Sequence, residues 1–378
     1  MSIGVYIHVP FCVRKCLYCD FTSYPVNREQ VSLYLRGLEK EIAYYSESLL
    51  LKEKTINTIF VGGGTPTSLM SGQLASILER LDRSFYIAND AEITTEANPG
   101  TVNFSYLKDL RAAGFNRLSL GVQSTHQELL NEIGRIHNFE QAKAAVWQAR
   151  QASFHNINLD LIFGLPKQTV KQWQQSLTEI INLEPQHISC YGLQLEEGTP
   201  LTCSIEQGKL EPCQEEDELE MYQLAIRILG SMGYEHYEIS NFARPGYQCR
   251  HNLLYWHNGE YLGLGPAAHS HLNQVRWGNV GNIEQYASLL KRGDIPREEK
   301  TILSVREQME ETVFLGLRML KGLKLENFRM RFGLPITKVF KKEISRMEQL
   351  GLVKLEDGYL KLTEKGLPLA NQVFAEFV

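Results

Sequence analysis

The sequence predicts an α/β protein in which a partial (β/α)6 barrel is followed by a helical, winged-helix-like C-terminal domain. Three observations indicate this class. Short β-branched runs alternate with longer helix-periodic stretches as far as about residue 195, a Gly-, Asn- and aromatic-rich stretch follows Gly233, and a helical block returns from Ser304. Strands that alternate with crossover helices are typical of parallel sheets. We therefore divide the chain into regions 1–235, 236–295 and 296–378.

The predicted barrel consists of six apolar strands joined by helices whose apolar residues recur every three or four positions. The predicted strands are residues 3–9, 56–61, 91–96, 117–121, 157–162 and 187–193. The predicted helices include residues 28–51, 72–82, 103–113, 138–151 and 170–183. Ligands of such barrels gather at the carboxyl ends of the strands, so functional residues are expected there.

The C-terminal region is predicted to be three helices followed by a hairpin, which is the outline of a winged helix. The predicted helices are 305–320, 325–332 and 336–350, and the strands 352–355 and 359–362 are joined across Asp357 and Gly358. Acidic residues balance its basic side chains, so no phosphate-binding face is evident. The basic residues are Arg329, Arg331, Lys338, Lys341 and Lys342. We interpret this region as a docking domain.

Composition limits the classes of function. The 378 residues, 43% of them hydrophobic, suffice for one large domain and a smaller one, and the net charge of -5 without a long basic run predicts no nucleic-acid partner. No stretch approaches the roughly 20 apolar residues of a membrane span, and no charged signal-peptide head precedes Ile3. An odd count of seven cysteines suits a reducing compartment. We expect a cytoplasmic protein that is not integral to the membrane. Peripheral contact with the inner membrane face and a homodimer are left open.

Three cysteines follow directly on the first predicted strand. Cys12, Cys16 and Cys19 have the spacing Cys-x3-Cys-x2-Cys. Three thiolates in one loop can hold a four-iron cluster and leave one iron without a protein ligand. The alternative is a zinc knuckle, which normally needs four ligands, and His8 is the local candidate for the fourth place. No second Cys pair appears in the sequence, so we favour the cluster.

A glycine run ends the second predicted strand. Gly62, Gly63 and Gly64 precede Thr65, and glycines at such a position let the backbone approach a ligand closely because no Cβ intervenes. A lone glycine run is weak evidence of a ligand site. Its position one βα unit after the cysteines makes the two signals mutually supporting.

The cysteine spacing and the glycine run together resemble the radical S-adenosylmethionine (SAM) superfamily. In that superfamily the amino and carboxylate groups of SAM chelate the open iron of a [4Fe-4S] cluster, and an electron from the cluster cleaves SAM to a 5′-deoxyadenosyl radical. The resemblance implies that Cys12, Cys16 and Cys19 hold the cluster. It also implies that region 1–235 is a radical-SAM barrel with a SAM site.

Most of the sequence resembles a narrower group, the oxygen-independent coproporphyrinogen III oxidases and their relative, the radical-SAM haem chaperone. The resemblance implies SAM contacts at Tyr6, Tyr18, Gly63, Gly64, Thr65, Glu96, Gln123, Arg135, Asp160 and His269. The residue types fit this role. Glu96 and Asp160 can accept hydrogen bonds from ribose hydroxyls or the SAM ammonium group, and Arg135 can meet the SAM carboxylate. His269 ends a stretch, 261–270, that resembles the loop closing over SAM in this group.

The sequence departs from the oxidases in two places. They carry a further cysteine two residues after the third cluster ligand, where this sequence has Phe21. They also have an N-terminal extension, which this sequence does not show ahead of Ile3. Since both features shape the oxidase site, we expect no decarboxylase activity.

A second motif lies in region 236–295. His251, Tyr255 and Trp256 match the His-Asn-x-x-Tyr-Trp motif of the haem chaperone. Imidazole is a normal axial ligand of haem iron, and aromatic rings supply apolar area against a porphyrin. Without the resemblance, one histidine among aromatics is more often structural. Cys249 is the alternative thiolate ligand.

The remaining cysteines, Cys190, Cys203 and Cys213, show no metal spacing and are interpreted as plain side chains.

Three functions are compatible with these features. The first is a haem chaperone that binds haem and transfers it to apo-haemoproteins, among them respiratory and membrane-bound ones, with the cluster and SAM in a gating role. The second is coproporphyrinogen III oxidation, and the third is radical chemistry on an unrelated substrate. Phe21 favours the first over the second, and the His251 motif favours it over the third.

Overall fold

Parallel strands form the centre of the protein in the computed structural model, which describes residues 2–48 and 51–378. The strands are β1 (Ser2–Val9), β2 (Phe11–Cys12), β3 (Tyr24–Pro25), β4 (Thr55–Gly63), β5 (Ile87–Ala97), β6 (Arg117–Gln123), β7 (Ile157–Phe163), β8 (His187–Gly192), β9 (Glu235–Glu238), β10 (Asn241–Ala243), β11 (Tyr261–Leu264), β12 (His269–Leu272), β13 (Val275–Asn279), β14 (Arg297–Ile302), β15 (Leu323–Lys324), β16 (Val353–Glu356) and β17 (Tyr359–Leu362).

Helices connect these strands and cover the sheet. They are α1 (Arg28–Ser46), α2 (Ser71–Ser84), α3 (Phe104–Ala113), α4 (Gln127–Glu132), α5 (Phe139–Gln151), α6 (Val170–Ile181), α7 (Pro200–Glu206), α8 (Glu215–Ser231), α9 (Arg250–Trp256), α10 (Ile283–Arg292), α11 (Val305–Leu317), α12 (Leu325–Phe332), α13 (Ile336–Val339), α14 (Lys341–Gln349) and α15 (Ala370–Ala375). Within the described ranges, no helix combines the length and apolar character needed to cross a membrane.

The six predicted barrel strands are all present and lie side by side in chain order, as β1, β4, β5, β6, β7 and β8, each parallel to its neighbour. The full sheet has 12 strands in the order β14-β13-β12-β11-β1-β4-β5-β6-β7-β8-β10-β9. Because β14 and β9 stand at opposite ends of this order, the barrel is open. The predicted partial barrel is confirmed.

Alternation along each strand separates the hydrophobic core from the inside of the barrel. In β6, Leu118, Leu120 and Val122 are completely buried and belong to the main core, whereas Ser119 and Gln123 line the interior cavity. Successive side chains of a strand point to opposite faces, so one set packs against the helices and the other faces the barrel interior. The strands therefore present a polar column to the interior.

The predicted crossover helices are found within two residues of their expected bounds, with one exception. Helix α1 begins at Arg28 as predicted but ends at Ser46, although helix was predicted to residue 51. Residues 49 and 50 of that prediction lie outside the described residues. A C-terminal cap at Glu47, whose N–H donates to the Tyr45 carbonyl, ends the helix early.

Region 236–295 contains more regular structure than its composition predicted. Tyr261–Leu264, predicted as part of a loop, is strand β11 and pairs parallel with β1 on the side opposite β4. Strands β12, β13 and β14 continue the sheet antiparallel. Since β14 spans residues 297–302, the large sheet crosses the predicted boundary at 295. The division into three regions stays a prediction.

The C-terminal region contains the predicted helices and hairpin, with one correction. The helix predicted for residues 336–350 is two helices, α13 and α14, separated at Phe340. Phe340 has φ -113° and ψ 40°, outside the helical range, and its buried ring packs against Phe328 and Phe377. A short strand, β15, joins the hairpin in a sheet of order β15-β17-β16.

Candidate functional site

A cavity of about 1550 Å³ opens at the carboxyl ends of the parallel strands and extends into the barrel. The three cysteines, the glycine run and the predicted carboxylates all line it. Residues 367–372 of the C-terminal region form part of its wall. The topology thus brings residues that are far apart in sequence to one side of the barrel, as expected for this fold class.

The cysteine loop leaves β1 and folds against the end of β4. Cys12 is buried, with its Sγ 3.5 Å from Thr65 Oγ1, whereas Cys16 and Cys19 are half-buried. Burial raises the pKa of the Cys19 thiol to about 11. Within the described residues, no three His, Cys, Asp or Glu side chains surround a single-ion site. All three thiols nevertheless line the same cavity.

His8, the candidate fourth ligand of a zinc knuckle, has both ring nitrogens engaged. Its Nδ1 accepts a hydrogen bond from the Tyr6 hydroxyl at 3.0 Å, and its Nε2 lies 2.8 Å from the Thr22 carbonyl oxygen, to which it donates. Burial lowers the pKa of His8, so the ring is neutral at neutral pH. His8 therefore holds the cysteine loop in place through Thr22 and offers no free nitrogen.

The glycine run has a packing role as well as a ligand-facing one. A Cβ on Gly64 would lie 2.6 Å from the carbonyl oxygen of Phe11, just before Cys12, and Gly63 has φ +110°. The Gly64 N–H donates to Val9 and the Thr65 N–H to Phe11, at 2.9 and 2.7 Å. Only glycine permits this close approach of the two backbones. The run therefore fixes the cysteine loop against the cavity.

Two carboxylates face the cavity from neighbouring strands. Glu96 accepts a hydrogen bond from the Gly63 N–H at 3.2 Å, and burial followed by the nearby Asp160 raises its pKa to about 8. Asp160 accepts from Ser119 Oγ at 3.0 Å and from Asn158 Nδ2 at 2.7 Å, and burial raises its pKa as well. A cationic ligand between them would favour their ionised forms.

Arg135 and Gln123 complete the predicted SAM set on this side of the cavity. Arg135 donates to Asn98 Oδ1 at 2.6 Å and to the Gly121 carbonyl, and its Nη1 lies 3.5 Å from Cys16 Sγ. Its Nε and the Gln123 Oε1 are buried without hydrogen-bond partners. Buried polar atoms of this kind normally require a partner, so these groups fit a polar ligand beside the cysteine loop.

The two tyrosines of the set lie at opposite parts of the wall. Tyr6 stacks on Phe60, with ring centroids 6.4 Å apart, and Tyr18 packs beside Ile162 and Leu129. Both line the cavity. His269 does not line it, because it is exposed at the start of β12, where it pairs with Gly278 of β13. The structure thus brings together nine of the ten predicted SAM residues.

The predicted haem motif lies on α9, towards the amino ends of β1, β4 and β5. His251 is 1% exposed, and its ring lies between Thr58 Oγ1, 2.8 Å from Nδ1, and the Tyr255 hydroxyl, 2.8 Å from Nε2. Burial, with a smaller contribution from Arg117, lowers the pKa of His251 to about 3. The imidazole is therefore neutral, but both of its nitrogens are occupied.

The other members of the motif region are also engaged. Cys249 is completely buried, its Sγ lies 3.5 Å from Glu92 Oε1, and burial raises its pKa to about 12. Arg318 lies over the Trp256 ring, 4.3 Å from its centroid. Asn252, between His251 and Tyr255, lines the floor of the cavity described above. The motif helix therefore contacts the same cavity from its inner end.

Sequence reasoning did not identify several polar residues of the cavity wall. These are Asn98, Arg117, Ser119 and Asn158. The sequence did contain a signal for the residues of β6. Apolar residues alternate with polar residues or glycine over residues 117–123, which places Arg117, Ser119 and Gln123 on one face of the strand. Asn98 follows Glu96 and Ala97 directly at the end of β5.

Comparisons with known proteins agree with this architecture. Residues 6–180 match the Radical SAM superfamily, and residues 303–369 match the HemN C-terminal domain. Proteins named heme chaperone HemW are similar over nearly the whole chain. The one from Bacillus subtilis is 36% identical, with 99% of each chain covered, and the one from Lactococcus lactis is 34% identical, with 99% of this chain and 97% of the relative covered.

A solved structure extends the similarity to the fold. The coproporphyrinogen III oxidase HemN from Escherichia coli, described as a radical SAM enzyme, aligns with a TM-score of 0.85 and 26% identity. The alignment covers 100% of this chain and 89% of that one.

Proposed function

Because the chain belongs to the radical SAM superfamily and, within it, to the HemW family of haem chaperones, we propose that it binds haem and transfers it to apo-haemoproteins. The observation that carries this proposal is the full-length similarity to several HemW proteins at 34–36% identity. A local feature supports it. Phe21, 60% exposed at the cavity, stands where the oxidases have a cysteine.

The radical SAM fold implies a [4Fe-4S] cluster and SAM. We assign the cluster to Cys12, Cys16 and Cys19, and SAM to the wall formed by Gly63 to Thr65, Glu96, Gln123, Arg135 and Asp160. When bound, the cluster supplies an electron at an iron that no protein ligand occupies. Arg135, held by Asn98 and Gly121, is poised to bind a carboxylate beside Cys16, and Glu96 and Asp160 are acceptors for hydroxyl or ammonium groups.

Coproporphyrinogen III oxidation is the second candidate, favoured by the close structural match to HemN. Anaerobic reconstitution followed by two parallel assays separates the candidates. We expect haemin to bind at near-stoichiometric amounts with a shifted Soret band. With SAM, an electron source and coproporphyrinogen III, we expect no protoporphyrinogen. Robust decarboxylation without haem binding would favour the oxidase.

We expect SAM to bind weakly to protein without its cluster, because the amino and carboxylate groups of SAM then lack their iron. In the reconstituted protein, Glu96→Gln should weaken SAM binding by about tenfold, since it removes a carboxylate whose ionised form a cationic ligand would favour. Equilibrium dialysis of labelled SAM measures both effects. Glu79→Gln, on the exposed surface of α2, is the control and should bind as the wild type does. Equal SAM affinity with and without the cluster would contradict the chelation.

We further propose that the protein acts in the cytoplasm and delivers haem to respiratory, membrane-bound recipients at the inner membrane face. Names of its relatives support transfer to other proteins. The homodimer stays a prediction of the sequence.

A further inference from the structure

Arg117 is a buried cation that forms no direct ion pair among the described residues. It is 2% exposed at the start of β6, on the barrel-facing side, and its side chain lines the cavity. Its Nε has no hydrogen-bond partner, and its guanidinium forms no ion pair with a carboxylate of residues 2–48 or 51–378. Nearby Glu92 and Asp160 favour the charged form of Arg117, but a buried guanidinium also needs hydrogen-bond acceptors, so its unpaired Nε fits a contact with a ligand.

The acidic groups nearest to Arg117 are engaged elsewhere. Glu92 accepts from the backbone N–H groups of Arg250 and His251, both at 3.1 Å, and thereby caps α9. Asp160 is bonded to Ser119 and Asn158, and Glu96 to the Gly63 N–H. These carboxylates lie near Arg117 without forming a direct pair with it, and Arg117 itself lines the cavity.

The cavity has more room than SAM needs. Its volume of about 1550 Å³ exceeds the range of roughly 300–1,000 Å³ that usually holds one small ligand. The predicted SAM wall occupies the end near the cysteines, and Arg117 lies four residues before Gly121 on β6, deeper in the barrel. Asn252 of the motif helix lines the same cavity, as does the ring of Phe60, whereas Phe163 stands nearer the mouth, at the carboxyl end of β7. The inner end therefore combines a buried cation, an amide and apolar surface.

We propose that Arg117 anchors an anion subsite at the inner end of the cavity, and that this subsite takes a carboxylate of haem. The proposal rests on the haem-binding function proposed above. A guanidinium presents two parallel donors that match a carboxylate, and the aromatic rings provide area for a porphyrin edge. Haem thus enters the cavity that holds SAM, with one propionate directed at the floor formed by Arg117 and Asn252.

Wild-type protein tests this first, by titration with haemin and with haemin dimethyl ester, whose propionates carry no charge. We expect the reconstituted protein to bind haemin at least tenfold more tightly than the ester, since hydrogen bonds to charged groups are the stronger ones. Equal affinity for both would overturn the subsite. Failure to bind either compound would instead contradict the proposed function itself.

Two variants, Arg117→Gln and Arg117→Lys, test whether Arg117 causes the difference in affinity between haemin and its ester. Arg117→Gln should weaken haemin binding at least tenfold and leave the affinity for the ester unchanged. Arg117→Lys keeps the positive charge but lacks the two parallel donors of a guanidinium, so its haemin affinity should lie between those of the wild type and Arg117→Gln. Arg250→Gln is the control, because Arg250 pairs with Asp90 on the exposed side of α9, and both affinities should stay as in the wild type.

Two results would overturn the subsite through these variants. An equal loss for haemin and ester in Arg117→Gln would mean a structural role, and a loss of SAM binding with normal haemin binding would assign Arg117 to SAM. If both Arg117 variants fail to fold, as judged by circular dichroism, the comparison of haemin with its ester in the wild type decides alone.

Discussion

Replacing Cys16 with serine is expected to abolish the iron–sulfur cluster of the anaerobically reconstituted protein. The loop supplies only three thiolates to a four-iron cluster, and a serine hydroxyl is a poor substitute for a thiolate ligand. Iron content should fall from about four per chain to near zero, with loss of the visible absorption of the cluster. Cys12→Ser and Cys19→Ser should have the same effect.

Cys249→Ser is the matched control for this loss. Cys249 is buried, as Cys12 is, but it lies beside Glu92 at the other end of the barrel. Its replacement should leave the iron content unchanged. A full cluster in the Cys16→Ser protein would refute the assignment, and loss of iron in Cys249→Ser would indicate a further ligand.

The barrel strands could be predicted because each is a short run of β-branched and apolar residues bounded by turns. Strand β11 could not, since Tyr261–Leu264 is only four residues long, contains a glycine, and gains its hydrogen bonds from β1, more than 250 residues earlier in the chain. The break at Phe340 was likewise hidden, because the packing of its ring against Phe328 and Phe377 overrides a continuous helical pattern.

The cysteines and the predicted SAM residues could be proposed from the sequence because they lie at strand ends in short local motifs, and the structure brings all of them except His269 to one cavity. The environment of His251 was not, since its partner Thr58 lies 193 residues away on β4. His269 belongs to a stretch with the right local residues, but it does not line the cavity, and its ring lies beside Gly278 of β13. In the sequence Arg117 looks like an ordinary charged residue at the start of a strand, and only the packing of the neighbouring strands and helices buries it.

His251→Ala is expected to change the Soret band of the haem-loaded protein and to reduce haem affinity, because it removes the imidazole that we predict from the sequence motif to bind the haem iron. The burial that lowers the pKa of His251 to about 3 leaves the imidazole neutral, so coordination requires no proton release from it. If Nε2 bound the iron, Thr58 would remain the hydrogen-bond partner of Nδ1. Such a hydrogen bond to the second ring nitrogen orients the imidazole of many metal-binding histidines.

Tyr255→Phe tests the same assignment from the opposite direction. In the structure the Tyr255 hydroxyl occupies Nε2 at 2.8 Å, so haem must displace it before the iron can bind. A hydrogen bond contributes about 0.5–1.5 kcal/mol net, and its removal should strengthen haem binding by roughly two- to tenfold while keeping the histidine-ligated spectrum. Trp256→Ala should weaken binding without changing that spectrum, since it removes packing area only. If His251→Ala leaves the spectrum intact, or if Tyr255→Phe weakens binding as strongly as His251→Ala does, the axial ligand is not His251.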